Sequence, residues 1–158
     1  MSGKREGERD SFVLLQVGNR RFALPANIVV ELAPPVRLHH FPHRTALLAG
    51  VIVRRGHIVP VYDAGPVLIG RASPMHRFYL VARREFGNTS EPSAIPVNGE
   101  CEMATGDLEP RDADDPDFVI GKLTAGEERL DVLDLNLLAA ARPPEPGHVH
   151  ADAVQVRP

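Results

Sequence analysis

Apolar positions in this chain come in short runs separated by turn chemistry, a pattern of strands rather than of long helices. Phe12 to Val17 is almost continuously apolar, which predicts a strand buried on both faces. Gly18-Asn19 predicts a turn and Arg20 to Leu24 the returning strand of a hairpin. Pro25-Ala26-Asn27 interrupts, and Ile28 to Leu32 resumes as apolar chain with Glu31 its one charge, until Pro34-Pro35 stops any ladder. His39 to Ala49 reads as a connector with room for one helical turn. The clearest signal follows. Val51 to Val53 and Ile58 to Val61 flank the polar group Arg54-Arg55-Gly56-His57, which predicts a hairpin whose glycine supplies a positive φ. Pro60 has no N–H and belongs where that bond direction is unpaired. Asp63 is placed to cap a short helical turn, which Gly65-Pro66 keeps short.

A second pass through the same programme begins at Phe78 to Ala82, whose partner is Ser93 to Val97 across a loop holding Gly87-Asn88. Gly106 to Asp117 is an acidic, proline-bearing loop. Phe118 to Leu123, a turn at Ala125-Gly126-Glu127-Glu128 and Arg129 to Leu133 predict another hairpin. Asp134 should cap a helix over Leu135 to Arg142 that ends on a cation, as the helix dipole favours, before Pro143-Pro144. Gly50-Val51-Ile52 through Tyr62-Asp63 parallels Ile120-Gly121 through Leu133-Asp134. A repeat of roughly 70 residues is marginal as a lone barrel, so two halves burying a shared apolar seam are expected. The preferred architecture is mainly β, two packed small barrels with short helices, one of them near the C-terminus; a single sandwich stays open. The expected division is a disordered lead-in over 1–10, one domain over 11–142 and a disordered proline-rich tail over 143–158. Within the domain, a first barrel spans about 11–70, a second about 77–134, and the helix 135–142.

Composition narrows the class without changing this picture. The 158 residues are 43% hydrophobic but 5% aromatic with no tryptophan, so Val, Ile, Leu and Ala must build the core. A net charge of −3 gives no basic face for nucleic acid. Cys101 is the one cysteine, which rules out an internal disulfide and fits a reducing compartment. The charged start from Met1 to Asp10 is no signal peptide, and no apolar run approaches the roughly 20 residues of a membrane helix. The expectation is a cytoplasmic globular domain.

Candidate chemistry is sparse. His39, His40 and His43 cluster beside Phe41-Pro42 with no acidic residue or cysteine near, short of the ligand count of a metal site. A solvated connector is the plainer reading, and a metal-dependent enzyme built on this cluster is the competing one. His148 and His150 lie among prolines in the tail. The acidic loop lacks the glycine and closing glutamate of a calcium loop. Cys101 has no cationic activator in its neighbourhood, so an inert packed thiol is expected. No nucleophile elbow and no phosphate loop occur, and a nucleic-acid barrel lacks stacking platforms and a basic groove.

The pair Arg54-Arg55 remains. Exposed charge is usually solvated, but arginine is also a frequent anchor at protein contacts. In a regular strand, adjacent arginines cannot both face one way.

The ordered chain from Phe12 to about Ala140 resembles the CheW-like family, the adaptor domain of bacterial chemosensory arrays. The resemblance is carried by Phe12-Val13-Leu14, Arg21-Phe22-Ala23-Leu24-Pro25, Val29-Val30-Glu31-Leu32, Phe41-Pro42 and the stretch from Gly50 to Asp63. Ala94-Ile95-Pro96-Val97, Leu108-Glu109-Pro110 and Val132-Leu133-Asp134-Leu135 extend it. It implies two five-stranded SH3-like barrels on a common core and a non-catalytic adaptor without a cofactor. Its partners would be the cytoplasmic tip of a chemoreceptor and the regulatory domain of a CheA-type histidine kinase, with no nucleic acid and no membrane insertion. The protein would then be cytoplasmic and recruited to receptor arrays. Arg55-Gly56 match the receptor-facing turn, with Arg55 a polar anchor, Val29 part of an apolar floor and Glu31 a rim charge; the kinase-facing residues are not placed. A scaffold paralogue serving twitching motility or another two-component pathway is the alternative within the family.

Overall fold

A computed structural model describes residues 9–45, 47–73 and 78–143, with the side chains of 43–45 and of Phe86 outside that set. The expected lead-in and tail therefore lie almost wholly outside the described residues, as do His148 and His150. Eleven strands and two short helices make up the described chain, besides a 3-10 turn at Ala26–Ile28. The strands are β1 (Asp10–Val17), β2 (Arg20–Pro25), β3 (Val29–Ala33), β4 (His39–Thr45), β5 (Leu48–Arg54) and β6 (His57–Tyr62). After helix α1 (Gly65–Leu68) come β7 (Phe78–Phe86), β8 (Thr89–Val97), β9 (Glu102–Gly106), β10 (Val119–Ala125), β11 (Glu128–Leu133) and helix α2 (Leu135–Ala140). The fold is mainly β, in two sheets.

The sheets run β10-β11-β2-β1-β9 and β3-β7-β8-β6-β5-β4. The division at about 11–70 and 77–134 is therefore not how the strands pair. The first hairpin, β1–β2, joins the last strands, with β9 antiparallel to β1 and β11 parallel to β2. The middle strands β3 to β8 form the other sheet. The repeat in apolar pattern is real, but pairing is long-range and one strand's pattern does not name its neighbour.

This exchange explains the burial. Along β1, Phe12 and Leu14 pack with Ala23, Leu123, Leu130 and Val132 inside the first sheet. Val13, Leu15 and Val17, on the opposite face, enter a shared cluster with Phe22, Leu24, Leu80, Ile95 and Leu133. β7 does the same from the other side: Tyr79 and Val81 face a cluster with Ile52, Val59 and Val61, while Leu80 and Ala82 join the seam. Both faces of the central strands are thus dry, which is why their sequences read as continuous apolar runs. The shared seam expected from the two passes is present.

Several segments differ from their sequence reading: β7 runs on to Phe86 and β8 starts at Thr89, and Glu102–Gly106, given no strand, is β9. His39 to Thr45 is the edge strand β4 rather than a connector with a helical turn, and it makes the second sheet six-stranded. Gly50 allows it: a Cβ there would lie 2.3 Å from the His39 carbonyl oxygen, so β4 seats where a side chain would block it. Its pairing shifts register between His40 and Thr45, which weakens any period-two signal. At the C-terminus, α2 stops at Ala140 and Arg142 lies beyond it, so no basic residue occupies the last turn. The residue before Pro143 is disfavoured in helical geometry. The start is as expected: Asp134 accepts from the Leu137 N–H at 2.9 Å. Asp63 is not the cap of α1, whose N-cap is Ala64; buried one residue earlier, it accepts from the N–H of Gly65 at 3.0 Å and the hydroxyl of Ser73 at 2.6 Å.

Candidate functional site

The β5–β6 hairpin ends in a two-residue turn in which Arg55 has φ 53° and Gly56 φ 81°, with Arg54 and His57 paired on either side. Positive φ at both central positions defines a type I′ turn, whose twist matches that of the strands. Gly56 takes this conformation freely. Arg55 is the one non-glycine residue with positive φ among those described, at a cost of about 1 kcal/mol.

That backbone brings together two side chains that strand alternation keeps apart. Because Arg55 belongs to the turn and not to a strand, it and Arg54 both reach Glu31 on β3. Arg54 donates through Nε to Oε2 at 3.2 Å and through Nη2 to Oε1 at 2.8 Å. Arg55 Nη2 stands 3.5 Å from Oε1. Hydrogen bonding from Arg54 is the main influence on Glu31 and holds its carboxyl below the usual glutamate range, against the opposing effect of partial burial.

β3 carries a bulge beneath this trio. Val29 pairs with Ala82 and Glu31 with Val81, leaving Val30 as the extra residue. The bulge re-aims the side chains: Val29 packs against the shared core, while Val30 is turned out and 51% exposed. Val30, Val59, Val81 and Pro92 floor a hollow of about 120 Å³ rimmed by Glu31, Arg54, Arg55 and His57. On the outer face of the same hairpin, Val53 and Ile58 sit directly opposite one another, both exposed. An apolar hollow beside a fixed ion-pair cluster and an exposed apolar pair is the chemistry of a protein contact.

Elsewhere the candidate chemistry is occupied by structure. His39 and His40 are exposed neighbours on β4, and the side chain of His43 lies outside the described set. Among the described residues no three His, Cys, Asp or Glu side chains come together to hold a metal. The acidic loop closes on a lysine: Lys122 Nζ meets Asp131 at 2.5 Å, Asp115 at 3.1 Å and Asp112 at 3.7 Å. Burial pushes the Cys101 thiol up to about 11, so it stays protonated and unreactive at neutral pH. No helix among the described residues is long and apolar enough to cross a membrane.

The family model described as the CheW-like domain matches residues 11–143, most of the chain. The chain belongs to the CheW-like family. The crystal structure of the scaffolding protein TtCheW from Thermoanaerobacter tengcongensis shares the fold at a TM-score of 0.68, covering 83% of this chain and 92% of that one. At 19% identity the likeness is one of architecture. No curated protein matches the chain. Membership in the CheW-like family gives the chain a scaffold fold, and the residues above are features of this member.

Of the four positions the resemblance pointed to, Glu31 and Arg55 touch, Gly56 is at the exposed tip, and Val29 faces inward. Sequence reasoning missed Val30, His57 and Pro92, and it gave Arg54 no partner. The bulge that turns Val30 out has no local signature. Arg54 was legible as a charge beside a turn, and its contact with a residue 23 positions earlier was not.

Proposed function

We propose that this chain is a non-catalytic, cytoplasmic adaptor that couples the cytoplasmic tip of a chemoreceptor to the regulatory domain of a CheA-type histidine kinase. The carrying observation is the hairpin tip itself: a rigid type I′ turn presents Arg55 over an apolar hollow, on a scaffold whose family bridges signalling proteins. Arg55 and Gly56 form the receptor-facing surface, Glu31 is held at its rim, and Val29 supports the strand from behind. An ordinary contact buries about 800 Å² per partner, which the hollow and Val30 begin to supply. Recruitment to membrane-bound arrays follows from the receptor contact, with no insertion of this chain.

The test is co-purification with a CheA regulatory domain and calorimetry with a receptor-tip fragment. Arg55→Ala is expected to weaken receptor binding by about 2 kcal/mol with an unchanged circular dichroism spectrum. Binding equal to wild type removes Arg55 from the site, and failure to capture the kinase domain removes the coupling role.

A further inference from the structure

Glu31 is the single carboxylate among the described residues that rim the hollow, and it is already engaged. The guanidinium of Arg54 covers both of its oxygens, and the two side chains are 21% and 17% exposed. Arg55 is different. It is 75% exposed and touches Glu31 through one nitrogen at 3.5 Å, which leaves the rest of its planar fork open among the described residues. Two cations and one anion at the rim sum to one positive charge, and that charge is displayed by Arg55.

We infer that Arg54 is a specificity-determining residue: by occupying Glu31 it withdraws that carboxylate from partner contact, so the site selects a segment offering an apolar side chain and a carboxylate. A partner cation approaching Glu31 has to displace a two-point, charge-assisted contact whose geometry is fixed by the turn and the bulge. A partner carboxylate meets Arg55 without displacing anything. Like charges placed opposite one another also discriminate against a basic segment. The inference rests on the proposed role of the hairpin tip as the receptor face.

Glu31→Gln separates the alternatives, because an internal counter-ion and a partner-facing anion answer oppositely to its loss. The probe is the cytoplasmic tip fragment of a chemoreceptor from the same organism, titrated calorimetrically into wild type, Glu31→Gln and Arg54→Leu. The expected result is that Glu31→Gln binds tighter than wild type, with a steeper salt dependence, while Arg54→Leu weakens binding by about tenfold. Unchanged or weaker binding by Glu31→Gln, or unchanged or tighter binding by Arg54→Leu, overturns the inference. A wild type that binds no receptor tip overturns the proposed function, and the Arg54–Glu31 clamp is then judged in the free protein. There carbon-13 NMR titration of the Arg54–Glu31 contact is expected to find the Glu31 carboxyl below the ordinary glutamate range in wild type and raised toward it in Arg54→Leu, where Arg55 remains beside it. An ordinary titration in wild type overturns the clamp on its own.

Discussion

Asn98, just past the end of β8, holds Gly18 in the β1–β2 turn by two reciprocal hydrogen bonds. Gly18 N–H donates to Oδ1 and Nδ2 donates to the Gly18 carbonyl, each at 3.0 Å. The Asn98 N–H also donates to the Gln16 carbonyl at 2.9 Å. Because β1 and β8 belong to different sheets, this small ring pins one sheet to the other at the margin of the apolar seam. A carboxylate cannot replace it: aspartate accepts from Gly18 N–H but turns a second negative oxygen toward the carbonyl. Asn98→Asp and Asn98→Ala are each expected to lower stability by about 1–2 kcal/mol in urea denaturation. Receptor-tip binding should be unaffected in both.

Lys122 ties the acidic loop to β10 and β11. Its side chain is 8% exposed, against 20% for Asp131 and 14% for Asp115. Lys122→Met leaves these carboxylates facing one another and should cost about 2–3 kcal/mol, near the low end for a broken buried pair because the acids retain some water. Equilibrium unfolding checks this, and amides of the Glu109–Lys122 backbone bridge should exchange faster.

The same cluster predicts a pH profile. The Asp115 carboxyl is held below the usual aspartate range, first by the Asp112 N–H and then by Lys122. Its share of stability is full above the unfolded aspartate value and is lost as pH falls through the lower, folded one. Lys122 is shifted upward, chiefly by Asp131. Its share is complete below the ordinary lysine value and is lost only as pH rises through the raised one. Urea midpoints should therefore be flat across neutrality and fall below about pH 4, with a shallower acid limb in Lys122→Met. An identical acid limb in the two proteins contradicts the assignment.

Arg55 occupies a conformation that asparagine and glycine tolerate better. Arg55→Asn should stabilise the fold by about 0.5–1 kcal/mol while weakening receptor-tip binding. Opposite signs in thermal unfolding and calorimetry would mark Arg55 as retained for contact at a conformational cost. A destabilised Arg55→Asn would show instead that the turn depends on the arginine.

Gly50 tests the placement of β4. Gly50→Ala sets a methyl group 2.3 Å from the His39 carbonyl oxygen, so β4 must lift from β5. The expected loss is about 1–3 kcal/mol, with hydrogen-exchange protection falling in β4 before the rest of the sheet. Uniform loss across the sheet speaks against a separately seated edge strand.

The two kinds of information divide along physical lines. Elements whose signal is local were legible: the β1–β2 hairpin from Gly18-Asn19, the β5–β6 hairpin from Gly56, the cap at Asp134, and the double burial of β1 from its unbroken apolar run. β4 was not, because its register shift and the prolines and histidines around it hide the alternation, and the reason it is a strand resides in Gly50 of its neighbour. At the candidate site, the resemblance marked Arg55 and Gly56 as a family turn and Val29 and Glu31 as positions near the same groove. It could not place Val30 in the hollow, since a bulge is a property of paired strands.

By itself, then, the sequence determined where the hairpins with glycine turns lie, that the core is aliphatic and shared, and that a charged turn stands on an apolar ribbon. These follow from chemistry acting over a few residues. Tertiary structure alone decided that the first hairpin joins the last strands, that Val30 rather than Val29 meets the hollow, and that Arg54 closes on Glu31. Each of those depends on which distant segments pair, and the free energy that chooses among pairings belongs to the packed seam as a whole.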